Sequence, residues 1–336
     1  MTSIGLPVLD LSRLDGPDRG VFLRDLRDAA RRVGFFYLVG HGVPPSLEED
    51  VWHQARAFFA LPEAEKLAVE MVHSPHFRGY TRAGREITRG RPDWREQFDI
   101  HSERPALPWR AGEPVWRRLQ GPNQWPAALP ALRPALLAWQ SALTAVAIRL
   151  LSAFAEALDQ PAGIFDGITH ELPNQAMKII RYPGRASGED DQGVGSHKDS
   201  GLLTLLLQDD AGGLQVQGAD GWIDATPLPG AFVVNIGELL ELASNGYLKA
   251  TVHRVVSPPA GRDRLSIAFF LGARLDAEVP LLDLPPHLAA EAEGPTADPL
   301  NPLFRQVGEN YLKGRLRSHP DVAERHYGDL LAKVPA

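Results

Sequence analysis

The sequence predicts a mixed α/β chain with a mainly β core, folded as a double-stranded β-helix (jelly roll) with flanking helices. Short apolar, β-rich segments recur between residues 175 and 271, separated by glycine and proline, as antiparallel double sheets require. Longer stretches on either side carry apolar residues at the helical spacing of three, four and seven. With 336 residues and 44% hydrophobic content, the chain can bury a large core.

The N-terminal part of the chain alternates strands and helices. PVLDLS at 7–12 predicts a strand, and apolar residues at helical spacing between about 18 and 33 predict a helix that Gly34 can end. FFYLVG at 35–40 predicts a second strand. The turn HGVPPS then leads into a second helix, and Pro62 starts a third, shorter one.

From about 71 to 128 the regular periodicity is poor. Such irregular segments in enzymes often supply lids and substrate contacts. We interpret Arg91, Arg95 and Glu96 as a solvated charge run. The histidines of this segment lack the partner spacing of a metal site and are interpreted as surface or pocket groups: His73, His76 and His101.

The longest predicted helix, from about 129 to 159, is expected to back a sheet because its apolar residues share one face. Strand predictions follow at short intervals: 175–183, 202–208, 214–217, 222–228, 231–237 and 264–271. The segments 303–318 and 320–331 predict two C-terminal helices. We expect capping or surface roles for His319 and His326 in that tail.

The composition restricts the function. Cysteine is absent, so disulfides, thiolate metal sites and cysteine nucleophiles are excluded, and a metal must be bound by histidine and carboxylate. The net charge of −7 gives no basic footprint for nucleic acid or an anionic membrane. The first residues lack a signal-peptide pattern, and no apolar run approaches the ~18 residues of a membrane span. We therefore expect a cytoplasmic protein with a small-molecule substrate.

Two histidines and an aspartate have the spacing of a metal site. Residues i and i+2 of an extended segment face the same side, so His197 and Asp199 can converge on one point, and a returning strand can bring His253 to it. Two histidines and one carboxylate on one face of a metal are typical of non-haem Fe(II) oxygenases, whose open positions accept a chelating cosubstrate and dioxygen. A His-x-Asp pair alone also occurs by chance, as a structural pair or a surface feature.

Arg264 and Ser266 alternate on one face of a predicted strand that follows His253. A guanidinium can hold a carboxylate through two parallel hydrogen bonds, and a neighbouring hydroxyl can donate a third. Because an unpaired arginine inside an apolar barrel is costly, a buried Arg264 implies an anionic partner. That partner is either a carboxylate of the protein or one of a bound molecule.

These residues, with Tyr182-Pro183 upstream, resemble the isopenicillin N synthase-like family of Fe(II)/2-oxoglutarate-dependent dioxygenases. The similarity extends over nearly the whole chain, and its further segments are PVLDLS near residue 7, GFFYLVGHGV at 34–43, DWREQFDI at 93–100 and LFRQVGENYLKGRLRSHP near the end. We expect three regions: an N-terminal non-haem dioxygenase region with the lid and substrate segment at 1–128, a jelly-roll core with its backing helix at 129–280, and a C-terminal helical tail at 281–336.

The resemblance also implies roles for single residues. The implied Fe(II) ligands are His197, Asp199 and His253. The far carboxylate of 2-oxoglutarate is expected on Arg264 and Ser266, with a further hydrogen bond to the cosubstrate from Tyr182, and no catalytic residue beyond the metal ligands is implied. The expected reaction uses O2, releases succinate and CO2, and hydroxylates a small-molecule metabolite. Because family halogenases need a small residue at the position of Asp199, halogenation is disfavoured.

The resemblance is weaker around the substrate. Lys178, Phe98 and Phe270 are predicted to contact it, although Lys178 has the alternative interpretation of a strand-end charge. The chain departs from the family pattern at Ile180, where many plant members have asparagine, and at Lys198, where threonine is frequent. We expect Lys198 to point away from the site, since it alternates with its neighbours.

Two alternative functions stay open. Isopenicillin N synthase and aminocyclopropane carboxylate oxidase share this ligand set and the Arg-x-Ser pair but work without 2-oxoglutarate, and in that case Arg264 would hold a substrate or cofactor carboxylate. The other alternative is a non-catalytic small-molecule-binding protein on the same fold. The intact set of predicted metal ligands argues against that loss of catalysis.

Overall fold

The computed structural model describes residues 5–171, 173–186, 188–299 and 301–331. The strands in these ranges are β1 (Val8–Asp10), β2 (Phe35–Val39), β3 (Gly79–Thr81), β4 (Ile87–Thr88), β5 (Arg91–Pro92), β6 (Glu96–His101), β7 (Asn174–Tyr182), β8 (Gln192–His197), β9 (Leu203–Gln208), β10 (Leu214–Gly218), β11 (Gly221–Asp224), β12 (Phe232–Ile236), β13 (His253–Val256) and β14 (Arg264–Gly272). The α-helices are α1 (Arg19–Arg32), α2 (Pro45–Phe59), α3 (Glu63–Leu67), α4 (Leu132–Ala157), α5 (Asp166–Thr169), α6 (Glu238–Ala243), α7 (Pro286–Ala289), α8 (Val307–Ser318), α9 (Pro320–His326) and α10 (Gly328–Leu331). Short 3-10 helices lie at Leu11–Asp15, Met71–His73 and Val115–Leu119.

Two sheets face each other in the core. The larger has the strand order β1-β2-β12-β9-β14-β7-β6-β3 and the smaller has the order β11-β10-β13-β8. Their pairings are antiparallel except for the parallel edge pair β1–β2. Ile180 and Ala268 of the larger sheet are buried in one cluster with Val194, Val216 and Val255 of the smaller sheet. This double layer confirms the predicted jelly roll.

Helices cover the outer face of the larger sheet. Met177 and Ile179 of β7 belong to the hydrophobic cluster on the helical side, whereas Ile180 and Tyr182 belong to the cluster between the sheets. This alternation follows from the two-residue period of a strand. The predicted long helix is α4, which packs against β7, β9 and β14, and α1 and α2 pack against α4 in turn.

The prediction that no segment approaches a membrane span is wrong for α4. This 26-residue helix is long and apolar enough to cross a membrane by length and composition, with a mean hydropathy of 1.4 over its most apolar 18 residues. In this fold, half of that window is buried. The core helix of a soluble protein has the same length and composition, so these two properties alone are weak evidence for a membrane span.

Strands from the N-terminal part form both edges of the larger sheet, with β1 and β2 beyond β12, and β6 and β3 beyond β7. The sequence analysis did not predict β6, all of whose residues are buried. The interpretation as a solvated charge run is wrong for Arg95 and Glu96, which are 8% and 6% exposed. Their charges are buried in ion pairs, Arg95 with Glu86 at 2.7 Å and Glu96 with Lys66 at 2.9 Å. Arg91 is exposed, as expected.

Candidate metal centre and cosubstrate pocket

The three predicted metal ligands meet at one point. His197 ends β8 and His253 begins β13, and the two residues are partners across the smaller sheet. The Oδ1 atom of Asp199 lies 3.6 Å from Nε2 of His197 and 3.7 Å from Nε2 of His253. The three potential ligand atoms lie within 4.8 Å of one another. A single metal ion could therefore contact all three side chains.

Backbone carbonyls orient both imidazole rings. Nδ1 of His197 lies 2.8 Å from the carbonyl oxygen of Gly195, and Nδ1 of His253 lies 3.1 Å from that of Thr251. Because a carbonyl oxygen only accepts, each Nδ1 must donate, so in the neutral form of each ring Nε2 has its lone pair available for a metal. Burial alone would lower the pKa of His197, but the hydrogen bond and charge of Asp199 raise it, so a metal that binds His197 competes with a proton. Burial, together with the neighbouring His197, lowers the pKa of His253 to about 4. His253 is therefore neutral at neutral pH, as metal binding requires.

Two polar side chains hold the carboxylate of Asp199. Thr204 Oγ1 donates to Oδ2 at 2.6 Å, and Asn235 Nδ2 donates to the same oxygen at 2.8 Å. These bonds leave Oδ1 directed at the two histidines. Burial alone would raise the pKa of Asp199, but the adjacent His253 and His197 and the bond from Thr204 hold it below its usual range. The carboxylate is thus ionised and fixed in orientation before any metal binds.

The sequence analysis missed Thr204 and Asn235. Thr204 interrupts the apolar run of β9, and Asn235 interrupts that of β12. A polar side chain inside a buried strand needs a hydrogen-bond partner. That requirement is the signal from which both residues could have been identified.

Arg264 is 1% exposed and lies at the start of β14, opposite Tyr182 of β7. Its Nη1 donates to Ser266 Oγ at 3.1 Å, its Nη2 donates to Gln208 Oε1 at 3.2 Å, and its Cζ lies 4.8 Å from the ring centroid of Tyr182. Its Nε has no hydrogen-bond partner, and we find no ion pair between Arg264 and a carboxylate of the described residues. Of the two anions considered above, the one from a bound molecule is thus favoured.

The three predicted substrate contacts lie in different surroundings. Phe270 packs against the cluster between the two sheets. Lys178 is 7% exposed and its Nζ lies 3.0 Å from Oε1 of Glu86, so its charge is neutralised within the protein. Phe98 is fully buried in the cluster on the helical side, with its ring centroid 4.7 Å from that of Phe58. Because Phe98 faces away from the metal ligands, we do not place it in the pocket.

Comparisons with known proteins show the family of this chain. Residues 6–128 match a family model described as the N-terminal region of non-haem dioxygenases in morphine synthesis, and residues 173–273 match that of the 2OG-Fe(II) oxygenase superfamily. The chain is 38% identical to the 2-oxoglutarate-dependent dioxygenase frbJ of Dothideomycetidae sp. (strain 11243), over 99% of this chain and 95% of that protein. The chain belongs to the 2OG-Fe(II) oxygenase superfamily.

Further similarities agree with this family. The oxygenase is 37% identical to homoarginine-6-hydroxylase 2-ODD-C23.1 of Arabidopsis thaliana, over 83% of this chain and 88% of that protein. It is similar to the crystal structure of a full-length Neurospora crassa protein in complex with alpha-KG and 5-formyluracil, with a TM-score of 0.74 and 29% identity over 94% of this chain and 98% of that one. The oxygenase is thus an oxidoreductase that acts on small molecules with Fe(II), 2-oxoglutarate and O2, and this prediction is confirmed.

The side chains of this oxygenase fit those cofactors. Two imidazole nitrogens and one carboxylate oxygen on one side of a metal are the donor set of non-haem Fe(II) sites with open positions. A buried guanidinium that lacks a carboxylate partner suits the far carboxylate of 2-oxoglutarate. Lys198 is compatible with both sites, because it turns to Glu241 and its Nζ lies 3.1 Å from Oε2 of that residue.

A buried charge network on the inner face of the larger sheet was not predicted. Glu86 pairs with Lys178, and Lys178 Nζ also lies 3.5 Å from Oδ1 of Asp99. The same oxygen of Asp99 lies 3.2 Å from Nη1 of Arg315 in α8. The expected surface or capping role of His319 is wrong, because this residue is 1% exposed, makes no side-chain cap hydrogen bond and lies 3.5 Å from Glu86. The network thus joins the N-terminal part of the chain to the C-terminal helices.

Proposed function

We propose that this oxygenase hydroxylates its substrate at an Fe(II) ion held by His197, Asp199 and His253, while Arg264 and Ser266 anchor 2-oxoglutarate. One observation carries the proposal: the three ligand atoms and the buried guanidinium of Arg264, which has no carboxylate partner among the described residues, face the same space between the two sheets. Halogenation stays disfavoured, because the position of Asp199 carries a carboxylate. The name of the homoarginine-6-hydroxylase relative supports hydroxylation as the outcome.

Each residue has a separate task in this proposal. The bound metal would supply the oxidising chemistry that couples decarboxylation of 2-oxoglutarate to substrate oxidation. Thr204 and Asn235 hold Asp199 so that one oxygen is directed at the metal. The guanidinium of Arg264 binds the far carboxylate of the cosubstrate with charge-assisted hydrogen bonds, joined by the hydroxyl of Ser266. Tyr182 supports the guanidinium with its ring. Its hydroxyl interacts with Arg95, and we propose that it also donates to the cosubstrate.

We also propose the predicted division of the chain into regions. Residues 1–128 supply the lid and substrate segment, 129–280 supply the jelly-roll core, and 281–336 supply a helical tail, whose last five residues lie outside the described ranges. Phe270 and Lys178 belong to the substrate side of the site. The cytoplasmic location and the absence of nucleic-acid and membrane partners stay predictions.

Anaerobic titration of the Fe(II)-loaded protein with 2-oxoglutarate tests the proposed function. The wild type should develop the weak visible charge-transfer band of a chelated cosubstrate. Arg264→Ala should weaken 2-oxoglutarate binding about 100-fold, because charge-assisted hydrogen bonds contribute ~1.5–3 kcal/mol each. As a control, Arg82→Ala removes an arginine that pairs with Glu70 and should titrate like the wild type. Bound iron without a band would contradict the cosubstrate assignment and favour the oxidase or binding-protein alternative.

A further inference from the structure

A small polar cavity lies between β6, β7 and the C-terminal helix α8. With the solvent at its mouth it measures about 210 Å³. The polar side chains that line it are Arg78, His101, Asn174, Tyr311 and Arg315. None of these residues has a role in the proposed metal site or 2-oxoglutarate pocket.

Arg78 is the unusual residue of this cavity. It is 4% exposed, yet its side chain donates hydrogen bonds to backbone carbonyls and forms no ion pair with a carboxylate of the described residues. These carbonyls belong to His76 and Leu119, and the Nε atom of Arg78 has no hydrogen-bond partner. Burial, together with the neighbouring Arg315, lowers the pKa of Arg78 to about 9. A buried cation in this state is costly unless an anion joins it.

The charges around the cavity and the adjoining network do not balance. Four cationic side chains with little exposure face three buried carboxylates, and these seven residues are Arg78, Arg95, Lys178, Arg315, Glu86, Asp93 and Asp99. Burial lowers the pKa of His101 well below its ordinary value, so this imidazole is neutral. Its Nε2 lies 3.1 Å from Nη2 of Arg315, which donates to it, and its Nδ1 lies 3.4 Å from Oδ1 of Asn174. One positive charge is therefore left over among these buried groups, and a further acid that acts on Arg78, Glu103, is exposed to solvent.

The cavity and Thr204, which holds the metal ligand Asp199, share the inner face of the larger sheet. Thr204, Phe270, Ala176 and His101 are successive partners across β9, β14, β7 and β6. Their side chains therefore point to the same side, with Thr204 holding Asp199 at one end and His101 lining the cavity at the other. Three strand spacings of ~4.8 Å put the two ends roughly 14 Å apart.

Tyr311 links the cavity to the loop of Asp199. A Cβ atom placed on Gly272 would lie 2.1 Å from the Tyr311 hydroxyl oxygen, and one placed on Gly201 would lie 3.3 Å from it. Glycine at these positions thus gives the hydroxyl room beside a loop that starts two residues after Asp199. The hydroxyl is buried, and among the described residues its polar neighbour is the side chain of Asn174, which also lines the cavity. Arg78 therefore keeps its Nε for a molecule in the cavity, and the Tyr311 hydroxyl can turn from Asn174 to the same molecule.

We propose that this cavity binds the carboxylate of the substrate, and this inference rests on the proposed function. Arg78 Nε and the Tyr311 hydroxyl donate hydrogen bonds to that carboxylate, and its charge offsets the surplus cation. Phe270 and Ala176 line the path from the cavity to the metal. The substrate class is therefore a small carboxylic acid, oxidised at a carbon several bonds away from its acid group.

Binding of 6-bromohexanoate to protein loaded with Mn(II) and 2-oxoglutarate tests the inference without turnover. Calorimetry should show binding, and bromine anomalous scattering in crystals should place the bromine towards Phe270, with the carboxylate between Arg78 and Tyr311. The neutral 6-bromohexanamide should bind at least about tenfold more weakly, because it lacks the charge-assisted bonds. Equal binding of acid and amide, or no binding of the acid, overturns the inference.

Substitutions locate the binding. Arg78→Gln should weaken 6-bromohexanoate binding about tenfold and leave the amide unchanged, and Tyr311→Phe, which keeps the packing, should weaken it about threefold. Arg82→Gln is the matched control and should bind like the wild type. If neither Arg78→Gln nor Tyr311→Phe affects the acid, the inference is overturned. Should Arg78→Gln fail to fold, Tyr311→Phe alone decides.

Two further measurements separate the alternatives. Inorganic phosphate at an equal concentration should not compete with 6-bromohexanoate, and competition would show a site for free anions and overturn the substrate assignment. 2-Oxoglutarate binding is measured first in every sample. Intact 2-oxoglutarate binding without 6-bromohexanoate binding refutes only this inference, whereas failure of wild-type protein to bind 2-oxoglutarate refutes the proposed function.

Discussion

Arg264 and Arg78 are both buried guanidiniums without a carboxylate partner among the described residues, yet their surroundings are built differently. Arg264 lies on a regular strand, two residues from Ser266 and directly opposite Tyr182. Arg78 lies in the irregular N-terminal segment, and the cavity beside it is completed by Arg315 from the C-terminal helix α8. The first site depends on local spacing within the jelly roll. The second depends on charges that come together only when distant segments fold.

The largest loss of activity is expected for substitutions at the metal and 2-oxoglutarate site within the jelly roll. His253→Ala removes one of three ligand atoms, so the purified protein should retain no Fe(II) and should not release succinate from 2-oxoglutarate. Metal analysis and a succinate assay check this. His73→Ala is the matched control, because His73 is exposed and had no predicted metal role. Stoichiometric iron in His253→Ala would contradict the assignment of the metal ligands.

In the network that adjoins Arg78, the main effect should be on stability. Lys178→Met leaves Glu86 without one of its partners, and breaking a buried ion pair costs about 3–5 kcal/mol in the free energy of unfolding. Urea unfolding measures this change. As the control, Lys249→Met breaks a more exposed pair with Glu293 at 3.7 Å and should cost at most about 1 kcal/mol. Equal losses in the two variants would show that the network contributes little to stability.

The same contrast explains how much the sequence could predict. Spacing predicted that His197 and Asp199 face one side of an extended segment, and the family resemblance implied His253 as the third ligand. The structure places the three ligand atoms within reach of one ion. Short apolar, β-rich segments separated by glycine and proline likewise predicted most strands of the jelly roll. By contrast, EQFDIH of β6 has the composition of a solvated segment. The cations that neutralise its acidic residues Glu96 and Asp99, such as Lys66 and Lys178, lie far from it in the sequence. Asp99 pairs with Arg315, which lies 216 residues further along the chain, and no local sequence pattern predicts this pair.

A smaller effect on Fe(II) affinity is expected for a residue that bonds to a metal ligand but does not itself contact the metal. Asn235→Ala removes the second hydrogen bond to Asp199 but no ligand, so Fe(II) affinity should fall by about 10–100-fold. Competition with a chelator of known affinity measures this. Asn123→Ala removes a buried amide that bonds to the backbone of His101 instead, and its Fe(II) affinity should be unchanged. Equal affinities in wild type and Asn235→Ala would show that Thr204 alone orients the carboxylate.

The smallest predicted effect is a pH dependence of stability at the network. Burial lowers the pKa of His319 from 6.5 to about 4, against the opposing influence of Glu86. Between these values the unfolded chain binds a proton that the folded protein does not, so the free energy of unfolding falls as the pH falls below 6.5. At pH 5, about 1.5 units below the unfolded value, the loss from this residue is ~2 kcal/mol.

His319→Asn isolates this contribution. His101 is another buried group with a lowered pKa, but it titrates in both proteins and cancels in the comparison. Urea unfolding of metal-free wild type and variant at pH 7 and pH 5 should therefore show a smaller loss of stability in the variant. An equal loss would mean that folding does not shift the pKa of His319, whereas a larger loss in the variant would mean that His319 is protonated in the folded protein and pairs with Glu86. The surplus of positive charge beside Arg78 would then be larger, and the case for an anionic substrate would be stronger.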